Sequence, residues 1–350
     1  MTQDAAFSLP VASLRIVATA IEPLTLPPNA GSTLRGAFGH ALRAVGCIDR
    51  GDGALCIDAC LENKRAMTDG RPTSCSYGYL FDTPRPPGSP FLERQSEVPH
   101  PYVFRSVGTG GRAYMSGERV EFQVNLLGMG IACLPEVVEA CIFMGRGGIG
   151  KGRGRFTLDE VWEQAAFDTE RRLLPLNADA TALSLVSDWN AAALSAQRLS
   201  RESVTLQFLT STCLVNNGVA TRQPSFGIVM RALLRRLTLL ALFHGGIAPV
   251  DRFKRLATLA DGVRLIQWEG AWQDWQRYSS RQQQHQSFGG LVGSAVYEGE
   301  VEPFLSYLIF GQAVHLGKAC TFGSGQYLLH AGAEDGLSRG VIDVARPFQL

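Results

Sequence analysis

The sequence lacks the features that would direct it into or across a membrane. It has no run of 18 or more consecutive apolar residues, which a membrane-spanning helix would need. Residues 1–10 include one acidic residue and no basic one, so the charged start of a secretion signal is missing. We therefore expect a cytoplasmic protein with no membrane partner.

The sequence also lacks a strong excess of charge. Lys and Arg together number 33 against 32 Asp and Glu, which leaves a net charge of +1. Any affinity for a polyanion must therefore come from local basic patches rather than from the field of the whole protein. The eight cysteines are not expected to form structural disulfides in a reducing compartment.

The 350 residues, 45% of them hydrophobic, are enough for about two domains. One order of elements occurs twice: strand, helix, hairpin strands, a helix opened by proline, a glycine-rich loop and a closing strand. In the first copy these elements fall at 14–21, 32–45, 101–104, 120–126, 135–144, 145–154 and 156–158. In the second copy they fall at 204–208, 224–244, 263–268, 292–297, 303 onward, 317–325 and 327–329.

This repeated order predicts an α+β protein with two tandem ferredoxin-like βαββαβ domains, at 1–165 and 203–350. Residues 166–202 are expected to connect them as helix or loop. A cysteine-rich insertion, 47–80, accounts for the greater length of the first copy. Its four cysteines, Cys47, Cys56, Cys60 and Cys75, predict a structural zinc site, with unliganded thiols or an iron–sulfur cluster as alternatives.

The first glycine-rich loop carries four basic residues and no acidic one. They are Arg146, Lys151, Arg153 and Arg155. Glycines let a backbone approach a phosphodiester closely, and interleaved cations neutralise phosphates. The loop therefore predicts RNA contact, whereas the alternative is a solvated turn that needs positive φ. In the second loop, Lys318 could meet a phosphate, and Phe322 could stack on a base or pack into the core.

Three motifs resemble one known family. They are 34–42 (LRGAFGHAL), 277–282 (RYSSRQ) and the C-terminal glycine-rich segment 317–327. Together they resemble the CRISPR precursor-RNA processing endoribonucleases of the RAMP superfamily, the family called Cas six. The resemblance implies RAMP-type domains, repeat RNA as the partner, and cleavage without a metal ion that leaves a 2′,3′-cyclic phosphate.

That chemistry needs a group that transfers protons near neutral pH, and histidine suits the task. His40 is the candidate catalytic residue because it lies far from the apolar stripe of its helix, on a face with Gly36, Gly39 and Arg43. The alternatives are a solvated surface histidine or one hydrogen-bonded to the glycine loop. His315, just before the second loop, has a structural role available as a cation at a helix C-terminus.

Further RNA contacts are expected from Arg35 and Arg43 on the first helix and from Tyr278 and Arg281. For the last two, a polar loop packed between the domains is the alternative. Two other functions stay open. One is a non-catalytic RNA-binding subunit of a CRISPR effector complex. The other is a zinc-stabilised interaction module without RNA.

Overall fold

The computed structural model describes residues 7–46, 75–81, 83, 98–106, 108–199, 202–279 and 284–331. The first half contains, in chain order, β1 (Val11–Ala20), β2 (Leu24–Leu26), α1 (Ala30–Gly46), α2 (Ser76–Leu80), β3 (Tyr102–Arg105), β4 (Arg112–Tyr114), β5 (Arg119–Leu127), α3 (Leu134–Gly147), β6 (Phe156–Gln164), β7 (Arg171–Leu174) and α4 (Trp189–Ala196). The described residues of this half thus contain both strands and helices, as the sequence predicts.

The second half is built from a similar set of elements. It contains β8 (Ser203–Thr212), β9 (Val215–Asn216), β10 (Val219–Ala220), α5 (Phe226–Phe243), α6 (Val250–Leu259), β11 (Arg264–Ser279), β12 (Gln284–Glu298), α7 (Leu305–Val314) and β13 (Tyr327–Ala331). Pro224 precedes α5, and Gly245, which has a positive φ, follows its cap residue His244. Both ends of this helix therefore lie at the start and stop signals that the sequence contains.

Each half has one main antiparallel sheet. The first sheet has the order β3-β5-β1-β6-β7, and the second has the order β11-β12-β8-β13. Alternate residues of β1, such as Leu14 and Ile16, are fully buried in one apolar core with Phe38 of α1 and Val138 of α3. The helices α5 and α7 bury their apolar residues against the second sheet in the same way. A mixed α/β fold is therefore confirmed.

The structure differs from the sequence prediction in the connection between the halves. Residues 166–202 were expected to be helix or loop, but they contain β7, which pairs with β6 and extends the first sheet. The helix α1 begins at Ala30, two residues before the predicted cap at Ser32. The strands β11 and β12 are also far longer than predicted, and they form a continuous hairpin from the Arg264–Glu298 pair to the Ser279–Gln284 pair.

One helical segment, Gly128–Gly147, has the length and apolar composition of a membrane span. More than half of its most apolar window is buried inside the protein, where α3 packs against α1 and β6. Its charged residues Glu136, Glu139 and Arg146 also interrupt the apolar run. This burial is that of a core helix.

Candidate nucleic-acid interface

The segment from β2 to the first turn of α1 lies between the two glycine-rich loops. On one side, the Lys151 backbone N–H donates to the carbonyl oxygen of Thr25 at 3.1 Å. On the other side, Gly31 packs so closely on the backbone of Phe322 that a Cβ at position 31 would overlap the Phe322 carbonyl oxygen. Two loops that are about 170 residues apart in the chain thus meet the same short segment.

The first loop is a tight, ordered turn. Gly148, Gly150 and Gly152 all have positive φ, and so does Arg153 at 53°. At Gly150 a Cβ would overlap the Thr25 carbonyl, so glycine is needed there for close approach as well as for the backbone angle. The helix α3 continues to Gly147, so the loop itself starts at Gly148 rather than at the predicted Gly145.

The four basic side chains of this loop are exposed, but two of them have partners within the protein. Arg153 donates from Nε and Nη2 to the carbonyl oxygen of Gly147, at 3.2 and 3.0 Å, and so closes the end of α3. Arg155 donates from Nε and Nη2 to Glu22 Oε1, at 2.9 and 2.6 Å. This ion pair lowers the pKa of the Glu22 carboxyl and raises the pKa of Arg155. Sequence analysis missed Glu22 because it lies 133 residues away from Arg155.

The second loop is mostly packed inside the protein, in contrast to the first. Thr321, Gly323, Ser324 and Gln326 are buried, while the Lys318 side chain is exposed. The half-buried ring of Phe322 lies 4.2 Å from the Arg35 guanidinium carbon and 5.9 Å from the ring centroid of Phe288. Phe322 thus packs within the protein, and stacking of its ring on a base stays a prediction. Gly323 lies against Gly31 and Phe104 of the first half, whereas Gly317 and Gly325 lie against Cys213 and Leu316 of the second half.

His40 lies exposed on α1, about two and a half helical turns beyond Gly31. The Cβ position of Gly36 has no neighbouring atom within 4 Å, which leaves an open surface one turn before His40. Gly39 differs from the prediction because it is buried, with the ring of Phe81 lying where a Cβ would be. Arg43 is exposed one turn further along. His40, Gly36 and Arg43 thus remain as an accessible surface.

Two other histidines are buried and neutral. His315 follows α7, its Nδ1 donates to the Ser324 carbonyl at 3.1 Å, and burial together with Arg105 and Arg236 holds its pKa well below the usual value. It is therefore not the cation at a helix C-terminus that the sequence allowed. Burial also lowers the pKa of His244 to about 4. Its Nε2 donates to the Pro99 carbonyl at 2.7 Å, and Nδ1 accepts from the Tyr79 hydroxyl at 2.9 Å.

The remaining candidates are described only in part. The backbone of Tyr278 belongs to β11 and pairs with His285, while Arg281 lies outside the described residues. Cys47, Cys56 and Cys60 also lie outside them. Cys75 is described, and its Sγ accepts from the Gly78 N–H at 3.2 Å at the start of α2. Among the described residues no cluster of His, Cys, Asp or Glu has the makeup of a metal site. The zinc site and the contacts of Tyr278 and Arg281 with RNA stay predictions.

Two family models match the sequence. Residues 206–327 match the model of CRISPR-associated endoribonuclease Cas6, and residues 9–182 match a model described as an N-terminal domain. A search of curated proteins finds no significant match.

Solved Cas6 structures share the fold. A product complex of Cas6 (TTHB231) from Thermus thermophilus gives a TM-score of 0.53 at 14% identity, covering 91% of this chain and 99% of that chain. A partial Cas6-RT-Cas1–Cas2 complex gives a TM-score of 0.54 at 11% identity, covering 95% of this chain and 48% of that chain. This chain therefore has the fold of solved Cas6 structures. Residues 206–327, which carry the match, place this part of the chain in the CRISPR-associated endoribonuclease Cas6 family.

Proposed function

We propose that this endoribonuclease binds CRISPR repeat RNA and cleaves it by attack of a ribose 2′-hydroxyl on the adjacent phosphate. The products are a 2′,3′-cyclic phosphate and a free 5′-hydroxyl, and no metal ion takes part in the step. One observation carries the proposal: the exposed His40 lies on α1, the helix whose first turn packs against the second glycine-rich loop.

The roles follow from the chemistry of the step. The 2′-oxygen loses a proton and the leaving 5′-oxygen gains one, so His40 serves as the group that transfers a proton at one of these atoms. Exposed cations of the first loop hold the phosphates on either side. Lys151 suits this role because Thr25 fixes its backbone while its side chain is exposed.

We also propose that the two halves are tandem ferredoxin-like domains. Each main sheet has four strands that can be numbered one to four in chain order: β1, β3, β5 and β6 in the first sheet, and β8, β11, β12 and β13 in the second. In both sheets these strands lie side by side in the order two, three, one, four, and β7 adds a fifth strand at one edge of the first sheet. The helices α1 and α3 in one half, and α5 and α7 in the other, follow the first and third of those strands. This order supports the split β-α-β plan.

The experiment is incubation of the purified protein with repeat RNA in EDTA. We expect cutting at one position, with a 2′,3′-cyclic phosphate on the upstream product. Tight binding of the same RNA without any cutting would replace the proposal with a non-catalytic RNA-binding role. No binding at low salt would contradict both roles, because phosphate contacts are strongest there.

A further inference from the structure

A row of planar side chains crosses from one half of the protein to the other. We name it the inter-half stack, and its members are Trp275, Phe288, Phe322, Arg35, Phe81 and His100. Trp275 and Phe288 stack with centroids 4.7 Å apart and planes at 18°, and Phe81 stacks on His100 at 6.5 Å and 19°. The row joins the β11–β12 hairpin of the second half to residues 75–81 and 98–100 of the first.

Arg35 is the only cation of this stack and forms its central member. Its guanidinium carbon lies 4.2 Å from the ring centroid of Phe81 and 4.2 Å from that of Phe322. Its Nε also donates to Thr321 Oγ1 at 3.2 Å. Each cation–π contact contributes about 0.5–2 kcal/mol, depending on exposure. A guanidinium can stack on two rings through its two flat faces, whereas a lysine ammonium has no such faces.

The same contacts hold the helix that carries His40. Gly31 packs on the Phe322 backbone, and Gly39 packs beneath the Phe81 ring. The two residues whose rings flank Arg35 therefore also touch α1: the Phe322 backbone meets it near its start, and the Phe81 ring meets it directly beside His40. A change in the stack would shift α1 relative to the second half.

We propose that Arg35 is a positioning residue that fixes α1, and with it His40, against the second half, and that it is not a phosphate contact. This inference rests on the proposed function and differs from the RNA-binding role that sequence analysis gave to Arg35. Its physical basis is that the guanidinium carbon lies 4.2 Å from each of two ring centroids and that its Nε donates to Thr321.

The test compares Arg35→Lys, Arg35→Gln, Phe322→Leu and Phe322→Tyr with wild type, and Arg252→Gln on α6 serves as a charge-matched control. For repeat RNA, we would measure the single-turnover cleavage rate and the dependence of Kd on salt. We would also measure amide hydrogen exchange over residues 30–40 without RNA. We expect Arg35→Lys, Arg35→Gln and Phe322→Leu each to slow cleavage about tenfold or more, because a displacement of about 1 Å can cost about 10²-fold.

The same three variants should exchange faster over residues 30–40 and keep the wild-type salt slope. Phe322→Tyr keeps the ring and should cleave within roughly twofold of wild type. The inference is overturned if Arg35→Lys cleaves like wild type. It is also overturned if the salt slope of binding for Arg35→Gln falls by about 0.7–0.9 while amide exchange is unchanged, since that marks a lost phosphate contact. If wild type fails to cut any repeat, the proposed activity fails. The exchange result then decides separately whether Arg35 fixes α1.

Discussion

The ring of Phe81 occupies the space in which a Cβ of Gly39 would lie, while the corresponding space at Gly36, one turn earlier on α1, is open. Two glycines of one helix thus have opposite surroundings. The open one leaves room for a ligand beside His40, and the covered one holds the helix against residues 75–81.

This contrast predicts different effects for two alanine substitutions. Gly36→Ala should stabilise the free protein by up to about 1 kcal/mol, because alanine favours a helix, and should weaken RNA binding if the RNA backbone approaches there. Gly39→Ala should destabilise it by about 1–3 kcal/mol because the Phe81 ring must move. Urea unfolding and Kd for repeat RNA check both. An unfolding free energy for Gly39→Ala equal to that of wild type would contradict the packing at this position.

Substitution of the candidate catalytic residue should affect the rate rather than binding. His40→Ala is expected to lower the cleavage rate by about 10²-fold or more, since that is the usual contribution of general acid–base catalysis. Kd for the repeat should change little. Single-turnover assays and filter binding check the two quantities, and added imidazole should restore part of the rate. A rate within about twofold of wild type would remove His40 from the mechanism.

The cations of the first loop should contribute unequally to RNA affinity. Lys151→Gln should weaken binding and lower the salt slope by about 0.7–0.9, the effect of one phosphate contact. Arg155→Gln should have a smaller effect, because Glu22 already neutralises Arg155. Glu22→Gln is the matched control and should strengthen binding. Titrations at several salt concentrations test this order, and a larger loss for Arg155→Gln than for Lys151→Gln would contradict it.

The buried histidines predict a loss of stability in mild acid. The pKa of His244 is lowered to about 4, so below its unfolded value near 6.5 the unfolded chain binds a proton that the native protein does not. Stability should therefore fall as the pH drops from about 6.5 to about 4, by about 1.4 kcal/mol per pH unit for this group. His315 acts in the same direction.

Urea unfolding between pH 7 and pH 4.5 measures this dependence. In His244→Gln the unfolding free energy should change less with pH, because the contribution of one buried histidine is lost, even though the variant is less stable at pH 7. A pH dependence equal to that of wild type would mean that His244 does not remain neutral in the folded protein.

The sequence predicted the strands and helices whose pattern is strong, and it missed those without one. Over much of their length β5 and β8 alternate buried and half-buried residues, and prolines mark the start of α3 and α5, so these elements were predicted near their observed positions. Most of the hairpin β11–β12 was missed because its outer part is polar and contains Gly289 and Gly290. The described pairing of β12 with β8 ends at the Leu291–Thr212 pair, so the outer part of the hairpin is not held between two neighbouring strands.

For the candidate site, the sequence identified the residue types, and the structure supplied the pairings between distant segments. The exposure of His40 and of the first-loop cations follows from local pattern. The Glu22–Arg155 pair, the burial of the second loop and the rings around Arg35 join segments far apart in the chain. Such contacts depend on how the two halves pack, which a single sequence does not reveal.

The connecting segment also determines where the protein can be divided. β7 covers the edge of β6, the buried Glu163 carboxylate accepts the N–H groups of Ser184 and Leu185, and Val11 and Ser187 exchange two backbone hydrogen bonds. A fragment ending at residue 165 would lose all of these and leave an open strand edge that favours self-association. A chimera that combines halves of two relatives should therefore be joined after Ser187, so that the first half keeps these contacts.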